Sequence, residues 1–274
     1  MKSKYLLLML TTLLFLSCED VVNVESKNPL PETIIVDGLI LDVEGKSYVK
    51  LTKSLPYFAD EQHAAVKSAV VTLTNSKGQT TSFEENSDGM YFCPSQFKGE
   101  AGEVYQLNVE VNGKTITAQS SLAPAVPIEN LRIEFIEEGD PDMRKGYYLF
   151  GKFSDPKNAK NYFKAEVFVN GARQQKNASD LIVFDDRLIE NLEGVEGQFG
   201  YWENLDDDDY KLNKGDKVAL KLYAIDYKTY LFYKALADTP GQGGLFGKNP
   251  ANVPSNVKGA LGIFQAVSVS ESEE

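Results

Sequence analysis

Residues 103–122 read EVYQLNVEVNGKTITAQSSL, and this stretch decides the fold class. Tyr105, Leu107, Val109 and Val111 alternate with polar residues, which puts them on one face of a strand. Asn112-Gly113 follows, the pair a type I′ turn favours because both of its central residues need positive φ. Ile116, Ala118 and Leu122 then return on the partner strand. A β-hairpin here is the clearest local signal in the chain.

Towards the N-terminus the pattern repeats in TIIVDGLIL, SYVKLTKS and AVVTLTNSKGQTTSFEE, the last with a turn at Ser76-Lys77-Gly78. Strand after short strand over residues 32–122 predicts a small β-sandwich. Ala123-Pro124-Ala125-Val126-Pro127 interrupts the alternation, and two prolines in so short a segment mark a linker over 123–127. Beyond it KGYYLFGKFSD alternates through Leu149, Gly151 and Phe153, and FKAEVFVNGARQQ repeats the hairpin signal at Asn170-Gly171. DKVALKLYAID aligns Val218, Leu220, Leu222 and Ala224 on one face. The spacing of Tyr227, Leu231 and Ala235 predicts one helix over 227–238. GALGIFQAVSV supplies a last strand. The chain is thus expected to be mainly β, with a second antiparallel domain, barrel or sandwich, over 128–269. Ser270 to Glu274 reads as an acidic, frayed tail.

The first residues set the location. Lys2 and Lys4 precede YLLLMLTTLLFL, Tyr5 to Leu16, which is too short to cross a bilayer and has the build of a secretory signal over residues 1–17. It ends at Phe15-Leu16-Ser17-Cys18, a loose lipobox with the small Ser17 before the cysteine and the bulky Leu16 upstream. Lipidation of Cys18 would add two or three acyl chains, enough for stable anchoring where one would not suffice. Residues 18–31 then form a polar tether containing Pro29 and Pro31. With Cys18 acylated, Cys93 is alone in the mature chain, so no intramolecular disulfide is expected, and its neighbours Tyr91 and Phe92 suit a buried, inert thiol.

Of 28 basic and 40 acidic residues, cleavage after Ser17 removes only Lys2 and Lys4, leaving a net charge of −14. That balance, with no basic run, argues against nucleic acid and against adhesion to anionic lipid.

Chemistry is harder to find. The one histidine, His63, lies in a polar segment and reads as a solvated loop residue; neither GxSxG nor HExxH is present. Asp206-Asp207-Asp208-Asp209 is the candidate calcium site, although the EF-hand spacing fails because Tyr210 takes a ligand position and Lys211 replaces the glycine. Glu137 to Asp142 is a weaker version of the same idea. Gly241 to Asn249 is glycine-rich but has Asn249 where a phosphate loop needs Ser or Thr after the lysine. In QFGYWEN, Tyr201 and Trp202 are candidate ligand contacts, a platform for a sugar or peptide. No catalytic constellation and no cofactor are expected. A hydrolase using two carboxylates is the remaining enzymatic alternative, since that chemistry needs only two acids.

The order of motifs is itself informative. A lipoprotein cysteine precedes TIIVDGLIL, VKLTKSLPY, AVVTLTNSKG and GMYFCP, and then EVYQLNVEVNGKTITAQSSLAPAVPI. The end carries YLFYKALAD, Asn249-Pro250, NVPSN at 252–256 and the Gly-x-Leu-Gly-x-Phe close at 259–264. Together these resemble the Bacteroidota outer-membrane lipoproteins of domain-of-unknown-function family 4249. The resemblance implies an immunoglobulin-like or carboxypeptidase-regulatory-like β-sandwich as first domain. It also implies a TonB-dependent receptor barrel as partner, and no assigned activity. Glu19-Asp20 after Cys18 is similar to the acidic tag that sends such lipoproteins to the cell surface.

Overall fold

Strand β1 (Ile34–Leu41) is where the architecture turns, because it lies between a strand close to it in sequence and one from the far end of the chain. Its antiparallel neighbour is β2 (Tyr48–Lys53). The computed structural model describes residues 32–55, 62–137, 143–154, 160–188, 194–203, 211–238 and 253–274. Beyond β2 come β3 (Val70–Thr74), β4 (Thr80–Ser87), β5 (Met90–Phe92), β6 (Val104–Val111) and β7 (Lys114–Ser121). The β6–β7 hairpin forms as its sequence predicts, with Asn112 and Gly113 both at positive φ and Val109 opposite Ile116. Val36, Ile40, Val49, Leu51 and Tyr91 pack against Val71, Leu73, Leu107, Val109 and Ile116 to form the first core.

The second half has β8 (Asn130–Ile136), β9 (Gly146–Phe153), β10 (Tyr162–Val169), β11 (Ala172–Arg173), β12 (Ile182–Asp185), β13 (Val195–Trp202) and β14 (Val218–Ile225). Helix α1 (Tyr227–Ala237), β15 (Val257–Lys258) and β16 (Leu261–Glu273) complete the chain. Strands β13-β9-β8 make a three-stranded sheet. It covers β10 and β14 across a second core that includes Leu149, Phe153, Phe163, Val167, Phe199, Leu220 and Leu222. The fold is mainly β and sandwich-like, and no closed barrel forms among the described residues.

One strand order runs through both halves: β11-β10-β14-β16-β1-β2-β5-β4-β3-β6-β7-β15, with β12 also on β10. The continuity comes from β16. Leu261 to Val267 pairs in parallel with β1, and Ser268 to Glu273 pairs antiparallel with β14. At about 3.3 Å per residue, a strand this long has the reach to serve two sheets in turn. The expectation of a frayed tail at 270–274 is therefore corrected. Those acidic residues are matched by lysines on and beside β14, Lys217 to Glu273 at 2.8 Å and Lys221 to Glu271 at 3.2 Å, and Glu274 exchanges backbone hydrogen bonds with Val218.

The proline-rich segment passes from one core to the other within a few residues. Leu122 is buried in the first core and Val126 in the second, while the Ala123 carbonyl accepts a hydrogen bond from Ser268 Oγ at 2.6 Å. Both cores belong to one compact unit.

Candidate functional site

Strand alternation assigns each side chain of the shared sheet a face. On β1, Val36 and Ile40 enter the first core, so Asp37, Leu39 and Leu41 lie on the opposite face. On β2 the same logic puts Tyr48 and Lys50 on that face, and on β16 Gln265 and Val267. On β14 and β10 the second core takes Leu220, Leu222, Phe163 and Ala165, leaving Tyr223, Ile225, Tyr162, Lys164 and Glu166 behind. These residues form one back face running under both halves. Helix α1 covers part of it, with Tyr230 and Leu231 packed among Ile225, Val267, Leu39, Leu41 and Tyr162.

Helix α1 is held from its first turn. Asp226 is its N-cap, and its Oδ1 accepts from the Thr229 N–H at 2.8 Å. Oδ2 accepts from Ser120 Oγ at 2.7 Å and from the Ser121 N–H at 3.1 Å, so the cap ties the helix to β7. Ser120 Oγ in turn accepts from the Ala266 N–H at 2.9 Å, bringing β16 into the same knot.

Six strands and helix α1 itself bring a polar and aromatic cluster together. Glu166 Oε1 accepts from Lys164 Nζ at 3.2 Å and Arg173 Nη1 at 3.1 Å, and Oε2 from the Tyr223 hydroxyl at 3.0 Å. The Lys164 ammonium lies 4.5 Å from the Tyr223 ring centroid and 4.7 Å from that of Tyr233, a cation–π arrangement on two sides. Tyr233 is hydrogen-bonded to the Gln265 amide. Burial alone would push Glu166 up, but Lys164, the Tyr223 hydroxyl and Arg173 outweigh it and hold the carboxyl below its usual value.

The other end of the cluster is different. Asp37 and Tyr48 are half-buried, and among the described residues neither the carboxylate nor the phenol has a hydrogen-bond or ion-pair partner. Burial pushes the Asp37 carboxyl up, with Lys50 and Lys164 opposing it. Burial, and then the negative charge of Asp37, pushes the Tyr48 phenol up to about 12.

Sequence reasoning placed its aromatic candidates elsewhere. Tyr201 and Trp202 border a recess of about 250 Å3 between β13 and the segment after β11, together with Val167, Gln175, Asp180 and Phe199. Trp202 is only 4% exposed and belongs to the second core, so its ring faces are packed. The Tyr201 hydroxyl donates to the Lys145 carbonyl at 3.0 Å. Asp180 Oδ2 accepts from the N–H groups of Lys176 and Asn177, and Gln175 Oε1 accepts from the Val167 N–H. The Tyr201 hydroxyl, Asp180 Oδ2 and Gln175 Oε1 are thus already bonded within the protein.

The remaining candidates are quickly located. His63 is exposed, with Nδ1 at 2.9 Å from the Lys53 carbonyl. Cys93 is buried in the first core, and that burial pushes its thiol up. Asp206, Asp207, Asp208 and Asp209, residues 138–142, residues 241–249 and Cys18 all lie outside the described residues. Among the described residues, no three His, Cys, Asp or Glu side chains converge to hold a metal ion, and no helix is long and apolar enough to cross a membrane.

The family model Domain of unknown function (DUF4249) matches residues 19–273. The chain belongs to this family. No curated protein matches it. Among solved structures, the crystal structure of a DUF4785 family protein from Legionella pneumophila aligns with 70% of this DUF4249 chain at 12% identity and a TM-score of 0.25. The alignment takes in 52% of that protein, about half its length.

Two of the motifs at the end of the DUF4249 chain meet among the described residues. Asn256 Oδ1 accepts from the Phe264 N–H at 3.0 Å and Ser255 Oγ donates to the Gly262 carbonyl at 2.6 Å, so Ser255 and Asn256 seat the start of β16. The back-face cluster is hard to see in the sequence because its members are spread from Asp37 to Gln265, with no more than two on any one element. A faint signal existed: Asp37 interrupts the apolar IIVDGLIL, and Lys164 and Glu166 interrupt YFKAEVFV, each at an alternate position.

Proposed function

We propose that this DUF4249 chain is a non-catalytic, lipid-anchored outer-membrane lipoprotein that faces the cell surface and serves as an accessory or ligand-capture partner of a TonB-dependent transporter. The observation that carries this reading is the N-terminal sequence: Lys2 and Lys4, the short apolar run to Leu16, then Ser17-Cys18 and the acidic Glu19-Asp20. The acidic charge of the mature chain is compatible with a surface protein that does not adhere to anionic lipid. The non-catalytic part draws support from the candidate reactive groups. His63 is engaged by a backbone carbonyl, Cys93 is buried with a raised pKa, and Glu166 is held ionised by its partners.

Replacing Cys18 with Ala is expected to move the protein from the membrane fraction to the soluble one. Full membrane retention of Cys18→Ala would refute the anchor. A mild-detergent pull-down of native-level protein, followed by mass spectrometry, tests the partnership: a stoichiometric TonB-dependent barrel supports it, and recovery of the protein alone refutes it.

A second reading, a glycan- or peptide-binding module working alone, is favoured by one observation: the unpaired, half-buried Asp37 and Tyr48. Calcium at Asp206 to Asp209 stays a minor proposal; isothermal titration of calcium into the chelator-treated protein, with and without those aspartates, tests it.

A further inference from the structure

Half-buried polar groups without partners lose water contacts and regain little, so a fold keeps them only at some cost. Here two such groups are diagonal neighbours on adjacent strands, Asp37 opposite Lys50 and Tyr48 opposite Leu39 in the β1–β2 ladder. Asp37 offers two acceptor oxygens and Tyr48 a donor on an aromatic ring, and both remain open to solvent. Lys164 stands within electrostatic reach of Asp37, and Tyr233 of Tyr48.

We propose that the Asp37–Tyr48 end of the back face, with Lys164 and the Tyr233–Gln265 pair beside it, binds a neutral polyhydroxylated molecule, a carbohydrate by class. Charge decides among the ligand classes. A cationic ligand would meet Asp37 but also the Lys50 and Lys164 charges that already act on it. An anionic ligand would meet the Asp37 carboxylate. Glu166 already accepts from Lys164, Arg173 and Tyr223, so its charge is compensated within the fold and does not recruit a cation. A sugar suits what is left over. Adjacent hydroxyls donate to a carboxylate, accept from a phenol or an ammonium, and leave an apolar ring face for a tyrosine.

This inference deepens the ligand-capture reading by naming the ligand class, but its test needs no transporter. The full lipidated chain, purified in a sugar-free detergent, is titrated calorimetrically with a panel of neutral oligosaccharides: β-glucan, α-glucan, xylan and mannan fragments. Choline and a uronic acid serve as cationic and anionic probes. At least one neutral oligosaccharide is expected to bind, with Asp37→Asn and Tyr48→Phe each weakening it about tenfold or more. Asp37→Asn is also expected to melt no lower than the wild type, because it removes an unpaired charge. Three results would overturn the proposal: no neutral oligosaccharide binds; one binds equally to wild type and both variants; or choline or the uronic acid binds in preference. A fall in the melting temperature of Asp37→Asn would make the carboxylate a structural group and sink the proposal as well. A transporter found in the pull-down, with no sugar bound in calorimetry, would leave the accessory role standing and remove only the ligand class.

Discussion

The two ends of the back face carry the same kinds of residue in opposite states. At one end Glu166 is surrounded by Lys164, Arg173 and Tyr223, each donating it a hydrogen bond, and its carboxyl is held down. At the other, Asp37 is half-buried opposite Lys50 on β2 and forms no ion pair with it, and its carboxyl is pushed up. Burial acts on both. What differs is whether donors are in place to replace the lost water, and that separates a carboxylate that builds the fold from one available to a ligand.

The most disruptive way to break this comparison is to part the strands that bring the two ends together. Gly262 adopts φ +106°, and a Cβ there would lie 1.9 Å from the Val36 carbonyl oxygen. No side chain fits where β16 passes β1. Gly262→Ala is expected to cost about 4 kcal/mol, combining backbone strain and overpacking, read as a lower urea midpoint. Oligosaccharide binding at Asp37 should fall with it.

Next in size is Glu166→Gln, which leaves Lys164 buried without its counter-charge. The expected cost is about 3 kcal/mol at neutral pH. Its pH dependence sharpens the contrast. Because the folded Glu166 carboxyl is lowered, its contribution is complete above the unfolded value of about 4.3 and is lost as pH falls through the folded value. Wild type and Glu166→Gln should therefore converge in stability in acid. Asp37 has the opposite sign: its raised folded pKa makes ionisation a penalty above that value, and the penalty is gone below the unfolded value of about 3.9. The benefit of Asp37→Asn should accordingly disappear in acid, and melts across pH 2 to 7 check both directions.

Smaller still is the effect of loosening the lid over the face. Asp226→Ala removes the N-cap of α1 and its bonds to Ser120 and Ser121, a loss of about 2 kcal/mol. Hydrogen exchange should then show the α1 amides losing protection before those of β6 and β7.

How much of this could be read beforehand differs from element to element. The β6–β7 hairpin was legible because its information is local: alternation within each strand and a turn pair that tolerates positive φ. The helix was legible too, from spacing alone, and formed over Tyr227–Ala237. The fate of Ser270 to Glu273 was not, since an acidic run looks like a tail until Lys217 and Lys221 are known to lie opposite. Trp202 shows the reverse problem, for an aromatic beside polar residues suits a platform or a core equally until its neighbours are placed.

By itself the sequence determined the β character, the turns, the helix and the family, because strand period, turn chemistry and motif order are written in contiguous residues. Only the tertiary structure decided that one strand joins both halves and that Asp37, Tyr48, Lys164, Glu166, Tyr233 and Gln265 share a face. Those residues come from four strands and a helix, and the raised Asp37 and Tyr48 and the lowered Glu166 arise from burial and proximity, which exist only once the chain has folded.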